Sequence, residues 1–279
     1  MGVITGVGSR LEGVATFRKA NVTALSNLKE LVHGGTGGGK QRLVGVKDWH
    51  GTWEEYGLVP TWLPGAAISF AESIDGATGL TGSAIVTQTV ITFPIGTKDP
   101  PTIVGTFRGT GALAKGADVV AAESLVTIPS VENICVQLAT VAASPSYSAQ
   151  AGTNEIIITL SIEDKEYHDC GSSGYMEAIE GVWDANVTYK RFVDDFSDLP
   201  TEGDPYAVKV GIDSAASEFY EFQWMRVGDL TDLMVDRETA DLVNVTIPLE
   251  MSMIEDIGGT ATLGTGVTMP STSVWRPSA

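Results

Sequence analysis

From Ala84 to Leu113 apolar and polar residues mostly alternate, with Ile85, Thr87, Thr89, Ile91 and Phe93 on one parity and Val86 and Val90 on the other. The run breaks at Thr97-Lys98-Asp99-Pro100-Pro101 and resumes as Thr102-Ile103-Val104 with Phe107. Strand formers at period two on both sides of a polar, proline-bearing turn predict a β-hairpin. The same pattern returns 140 positions later, from Trp224 to Met253, where Asp236-Arg237-Glu238-Thr239 is the turn and Leu242-Val243, Val245 and Ile247 follow it. The two stretches align without a gap.

The comparison extends upstream. Ile68-Ser69-Phe70 falls on Val208-Lys209-Val210 at the same offset of 140, and Trp49 and Trp53 fall on Trp183 and Val187 at an offset of 134. Val14-Ala15-Thr16-Phe17 has a partner in Ile157-Ile158-Thr159-Leu160. The pattern therefore predicts a mainly β chain of two tandem units, each a β-sandwich or partial barrel with at most a short flanking helix. Such a helix is expected over Asn21 to His33, where Leu25, Leu28, Leu31 and Val32 recur at helical spacing.

The organisation that follows has a first β-domain with an N-terminal arm over 1–113, a bridge over 114–155, a second β-domain over 156–253 and a C-terminal arm over 254–279. The first twelve residues read as an arm or edge strand. The bridge holds strand-like Leu125 to Ile128 and Ile134-Cys135-Val136 and ends in small residues of linker type, while the final arm carries one late anchor, Trp275.

Composition changes this picture little. A length of 279 residues has room for two domains, and 32 Gly with 12 Pro favour short strands and turns over long helices. No apolar run reaches the roughly 20 residues of a membrane helix, and the N-terminus lacks a signal-peptide pattern, so neither a membrane nor export is expected. Cys135 and Cys170 have no CxxC spacing and read as reduced structural thiols. The formal charge of −18 disfavours tight binding to a phosphate backbone.

Candidate chemistry is thin. Gly34 to Lys40 satisfies seven positions of a phosphate loop, but Gln41 stands where a magnesium-holding hydroxyl is required, and strand-like Arg42 to Val46 follows where a helix should open. A hairpin tip is the better reading. Trp49, Trp53, Tyr56 and Trp62 could form a sugar-stacking surface, yet the change of Trp53 to Val187 in the second copy favours core packing. His168-Asp169-Cys170 lacks a second ligand pair at zinc spacing. Asp194, Asp195, Asp198, Glu202 and Asp204 lack the alternation of a calcium loop and read as a solvated acidic loop. His33, His50 and His168 have no nucleophile to serve. No catalytic, cofactor-binding or metal residue is nominated, no cofactor is expected, and the chain reads as a non-enzyme.

Asp48-Trp49-His50-Gly51-Thr52-Trp53, preceded by Arg42-Leu43-Val44-Gly45 and followed by Leu63-Pro64-Gly65, resembles an element of the tail-tube (major tail) proteins of long-tailed bacteriophages. Gly82-Ser83-Ala84-Ile85-Val86 and Gly109-Thr110-Gly111-Ala112-Leu113 are similar to the close of their units. The second copy keeps Gly181-Val182-Trp183 and the hairpin but ends in Leu249-Glu250-Met251-Ser252-Met253. The resemblance implies a virion protein, made in the host cytoplasm, whose units close a six-membered ring. With two fused units, the ring is a trimer with pseudo-sixfold symmetry. Stacked rings form the tube through loops such as His33 to Gln41 and Lys190 to Asp204 and through the terminal arms. The implied partners are further copies of the chain, the tape-measure, terminator and distal tail proteins, and genomic DNA that passes an acidic bore without specific binding. The other readings are a different ring-forming virion component, such as a tail terminator or decoration protein, and a carbohydrate-binding adhesin module.

Overall fold

A computed structural model describes residues 10–26, 29–31, 41–43, 47–73, 78–117, 134–141, 146–167, 177–211, 219–231 and 243–251, with four short strand segments beyond them. The strands in chain order are β1 (Arg10–Leu11), β2 (Phe17–Leu25), β3 (Lys29–Leu31), β4 (Gln41–Leu43), β5 (Asp48–Tyr56), β6 (Ala67–Ser73), β7 (Thr78–Pro94), β8 (Thr102–Gly109), β9 (Ala114–Ala117) and β10 (Cys135–Thr140). They continue with β11 (Ser148–Ala149), β12 (Thr153–Tyr167), β13 (Glu177–Val193), β14 (Pro205–Gly211), β15 (Phe219–Val227) and β16 (Val243–Met251). The short segments are β17 (Ile254–Glu255), β18 (Ala261–Thr262), β19 (Val267–Thr268) and β20 (Val274–Trp275). A single 3-10 turn, Phe196–Asp198, is the helical content of the described residues, none of which forms a helix long and apolar enough to cross a membrane.

The chain is mainly β, and its principal sheet is open and antiparallel, running β11-β10-β14-β15-β16-β13-β12-β7-β8-β5-β2. The helix expected over 21–33 is not formed. Residues up to Leu25 belong to β2, which pairs with β5 from Phe17↔Glu55 to Leu25↔Asp48, and Lys29–Leu31 pairs with Gln41–Leu43. Val22 and Thr23 are β-branched and find ladder partners in Gly51 and His50, so tertiary pairing overrides the helical spacing of the leucines. The β3·β4 ladder agrees with a hairpin around the Gly-rich segment, whose residues 32–40 lie outside the described set.

Strand connectivity is duplicated. In the first half β6 pairs with β7, β7 with β8, β8 with β5 and β5 with β2; in the second β14 pairs with β15, β15 with β16, β16 with β13 and β13 with β12. β1 borders β6 as β10 borders β14, and β9 borders β7 as β19 borders β15. The stretches 114–155 and 254–279 therefore supply strands to the sheet, and β10 falls on the strand-like Ile134-Cys135-Val136.

Irregularities repeat as well, and they fix the register. A bulge between Phe17 and Lys19 has its equivalent between Thr153 and Glu155. The bond from Tyr56 N–H to the Thr16 carbonyl at 3.2 Å matches that from Phe192 N–H to Gly152 at 3.0 Å, each pair 136 positions apart (56 to 192, 16 to 152). Gly65 and Gly203 both adopt φ 82°, and each is third in a turn, Leu63 to Ala66 or Thr201 to Asp204, that exchanges two backbone bonds with a valine, Val86 or Val227. Equivalence therefore runs Trp49 to Ala185 and Trp53 to Tyr189, not to Trp183 and Val187. Phe17 likewise matches Thr153, not Leu160, and Phe70 matches Val208. The error at β5 and β6 is two residues because a shift of two along a strand keeps every side chain on its own face, and burial pattern cannot detect it. The hairpins do not superpose at a uniform 140 either: Val86 matches Val227 (227 − 86 = 141) and Phe107 matches Leu249 (249 − 107 = 142).

Two cores result. Trp49, Trp53, Phe70, Val86 and Phe107 fill the first, with the rings of Phe70 and Phe107 4.8 Å apart. Gly105 and Gly109 lie directly under the indoles of Trp53 and Trp49, where a Cβ has no room, which is why β8 carries glycine at both places. Ile156, Ile158, Leu160, Val187, Tyr189, Val245 and Ile247 build the second, and Ile91, Phe93 and Ile103 of β7 and β8 belong to it.

Candidate assembly interface

The join between the halves depends on the length of β7. Its first part, Gly79 to Ile85, pairs with β6, and its later part, Gln88 to Pro94, pairs with β12 from Ser161↔Gln88 to Glu155↔Pro94. Because β8 takes the other edge over Ala84 to Thr92, β6 and β12 share one edge end to end. The join is also packed: Leu58, Leu63 and Ile95 of the first half rest against the second core, the Ile95 N–H donates to Asn154 at 2.9 Å, and the Tyr220 hydroxyl donates to the Leu58 carbonyl at 2.7 Å.

β2, the equivalent of β12, has a partner on one edge only among the described strands, namely β5. Cross-strand ion pairs hold it there. Arg18 and Lys19 both reach the Glu54 carboxylate, Lys19 at 2.7 Å. Burial raises the Glu54 pKa, but the two cations outweigh it and leave the carboxyl below its usual value. Phe17, Ala20 and Val22 lean on the first core, while Asn21, Thr23, Ala24 and Leu25 are exposed.

At the far end of the chain, the backbone past β15 follows the path of late β7. Gly228 N–H donates to Pro248 at 2.9 Å, and Thr231 bridges Thr246, as Val90 pairs with Val104 in the first half. On the edge that corresponds to the β12 side of β7, the Leu230 N–H is met at 3.2 Å by the exposed side chain of Glu202.

Equivalent buried positions differ in charge. Glu55 accepts from Thr61 N–H at 2.9 Å, Thr61 Oγ1 at 2.6 Å and Trp53 Nε1 at 3.3 Å. Its equivalent Arg191 donates to Gln150 Oε1 at 2.8 Å. Burial raises the pKa of Tyr220, with Glu55 adding to the shift, and burial raises that of Tyr189. Tyr147 is raised by burial and by the Glu221 carboxylate, to which its hydroxyl donates at 2.6 Å. Sequence reading missed Glu55 and Tyr220; the place of Glu55 two residues after Trp53, on the same face of the strand, was the available signal for the first, and nothing local marked the second.

The indoles of Trp49 and Trp53 are buried, and Trp62 meets Trp53 edge-on at 5.1 Å, so the cluster is core and the sugar-stacking platform is lost. Asp194, Asp195, Asp198, Glu202 and Asp204 are exposed, and Asp195 accepts from Ser197 N–H at 2.8 Å as a local cap. His50 is partly buried, 3.9 Å from the Asp48 carboxylate, which Arg108 meets at 3.1 Å. Cys135 is a partly buried free thiol, whereas His33, His168, Asp169 and Cys170 lie outside the described residues. No family model and no curated protein matches the chain.

Proposed function

We propose that the chain is the structural subunit of a phage tail tube: three copies supply six equivalent units to a ring, and stacked rings form the conduit for DNA. The observation that carries this reading is the β7·β12 ladder, which joins two units of the same connectivity edge to edge, while the matching edge of β2 has no strand among the described residues. Such an edge invites further pairing, and a head-to-tail contact between copies either closes a ring or runs on as a filament. The charge of −18 suits a wall that DNA must pass without sticking. In this role the chain resides in the virion tail and meets tape-measure, terminator and distal tail proteins.

Electron microscopy and native mass measurement of the purified protein at rising concentration test the reading. Three-chain rings with a central bore that stack into tubes are the expected result. Three-chain rings that never stack favour a terminator or decoration role. A chain that stays monomeric throughout overturns both.

A further inference from the structure

We propose that copies join by β2 of one chain adding to the edge of the backbone that continues β15 past Val227 in the next, in the register that β12 keeps on β7. This rests on the ring reading and specifies its joint. Within one chain Thr159, Leu160 and Ser161 stand opposite Val90, Thr89 and Gln88. The equivalences fixed by the repeated bulges and turns carry these onto Thr23 opposite Thr231, Ala24 opposite Leu230 and Leu25 opposite Asp229 of the neighbouring copy.

Each half of the joint has its own support. β2 keeps the bulge, the backbone bond and the β5 ladder of its equivalent, so its outer edge presents the same groups that β12 gives to β7. On the receiving side, Gly228 to Thr231 already lies along β16 as Thr87 to Val90 lies along β8, including the one-residue register change that follows Val86 and Val227. The Glu202 carboxylate on the Leu230 N–H occupies a donor on that edge. It is an exposed side chain that can swing away, and its equivalent in the first half is Pro64, which has no such group to offer.

The contact is heterologous, since β2 meets a different strand and not a second β2. This separates it from the other way of covering the edge, a twofold β2–β2 dimer. It also gives each ring two kinds of joint, the covalently tethered β7·β12 and the untethered β2·β15, so disassembly should break only the second.

Paired cysteines test the register. In a background with Cys135→Ala and Cys170→Ala, the variant Ala24→Cys with Leu230→Cys places the two thiols opposite one another, at Cα separations of about 4.5–5.5 Å that a disulfide accepts. Mild oxidation of assembled protein should give covalent dimers and trimers, while either single cysteine and the displaced pair Ala20→Cys with Leu230→Cys should remain uncrosslinked. Covalent dimers from Ala24→Cys alone would reveal the twofold contact and overturn the proposal. Hydrogen exchange of the unmodified protein is the second measurement: the outward-facing amide of Ala24 should slow at least tenfold on assembly, with those of β5 unchanged. Rings whose Ala24 amide exchanges as fast as in the free chain sink the joint and leave the ring reading standing; a chain that never assembles sinks both.

Discussion

The hydroxyl of Tyr220 donates to the carbonyl oxygen of Leu58 at 2.7 Å, across 162 positions of sequence, and so ties β15 to the loop that leaves β5. Tyr220 is fully buried, and its ring belongs to the core that also takes in Ile91, Phe93 and Ile103. The halves are therefore fastened by packing and by a polar contact as well as by the β7·β12 ladder.

Tyr220→Phe keeps the ring and removes the donor. Leaving the Leu58 carbonyl without it should cost about 1–2 kcal/mol, read as a lower urea midpoint of the unassembled chain at unchanged m-value. An unchanged midpoint would show that the contact contributes nothing.

Gly105→Ala forces a methyl into the Trp53 indole. Overpacking of this kind should cost about 1–3 kcal/mol. Trp53→Phe makes room, so the double variant should be less destabilised than the two single changes summed, by about 1 kcal/mol or more. Strict additivity would mean that the two positions do not compete for space.

Glu55 is buried and collects three donors, of which the Trp53 N–H is the least able to reach water. Glu55→Ala should lower stability by about 2 kcal/mol, and Glu55→Gln, which keeps one acceptor oxygen, by less. Equal losses in the two variants, by chemical denaturation at pH 7, would count against the hydrogen-bond account.

Alkaline pH should unfold the chain more steeply than exposed tyrosines would allow. Tyr147, Tyr189 and Tyr220 all have pKa values raised above the ordinary value near 10, each chiefly by burial. Above pH 10 the unfolded chain releases these protons and the folded chain keeps them, so stability is intact below pH 10 and falls as pH rises beyond it. The 295 nm absorbance of phenolate should therefore include a step that coincides with loss of the β-sheet signal in circular dichroism. Complete phenolate formation before unfolding would contradict the burial of these groups.

The sequence by itself determined the strand content, the hairpin of β7 and β8, the burial of the Trp49 and Trp53 stretch and the presence of a duplication. Alternation at period two and strand-forming residues encode these locally. The equivalences of β5 with β13 and of β6 with β14 were readable only to within two residues, because a slip of two leaves every apolar side chain on its own face. Backbone irregularities removed that ambiguity, and they carry almost no signature in side-chain type: Thr16 and Gly152, or Phe17 and Thr153, look nothing alike.

Only the tertiary structure decided that residues 21–25 continue the strand, since the helical spacing of Leu25, Leu28 and Leu31 says nothing of the ladder that β5 offers. Only it decided that Glu55 and Arg191 occupy the same buried place with opposite charge, and that β12 pairs along the edge of β7 while β2 has no strand beyond it among the described residues. Pairing between strands some seventy positions apart satisfies backbone groups that every residue carries alike, so the choice of partner is written in geometry and not in residue identity.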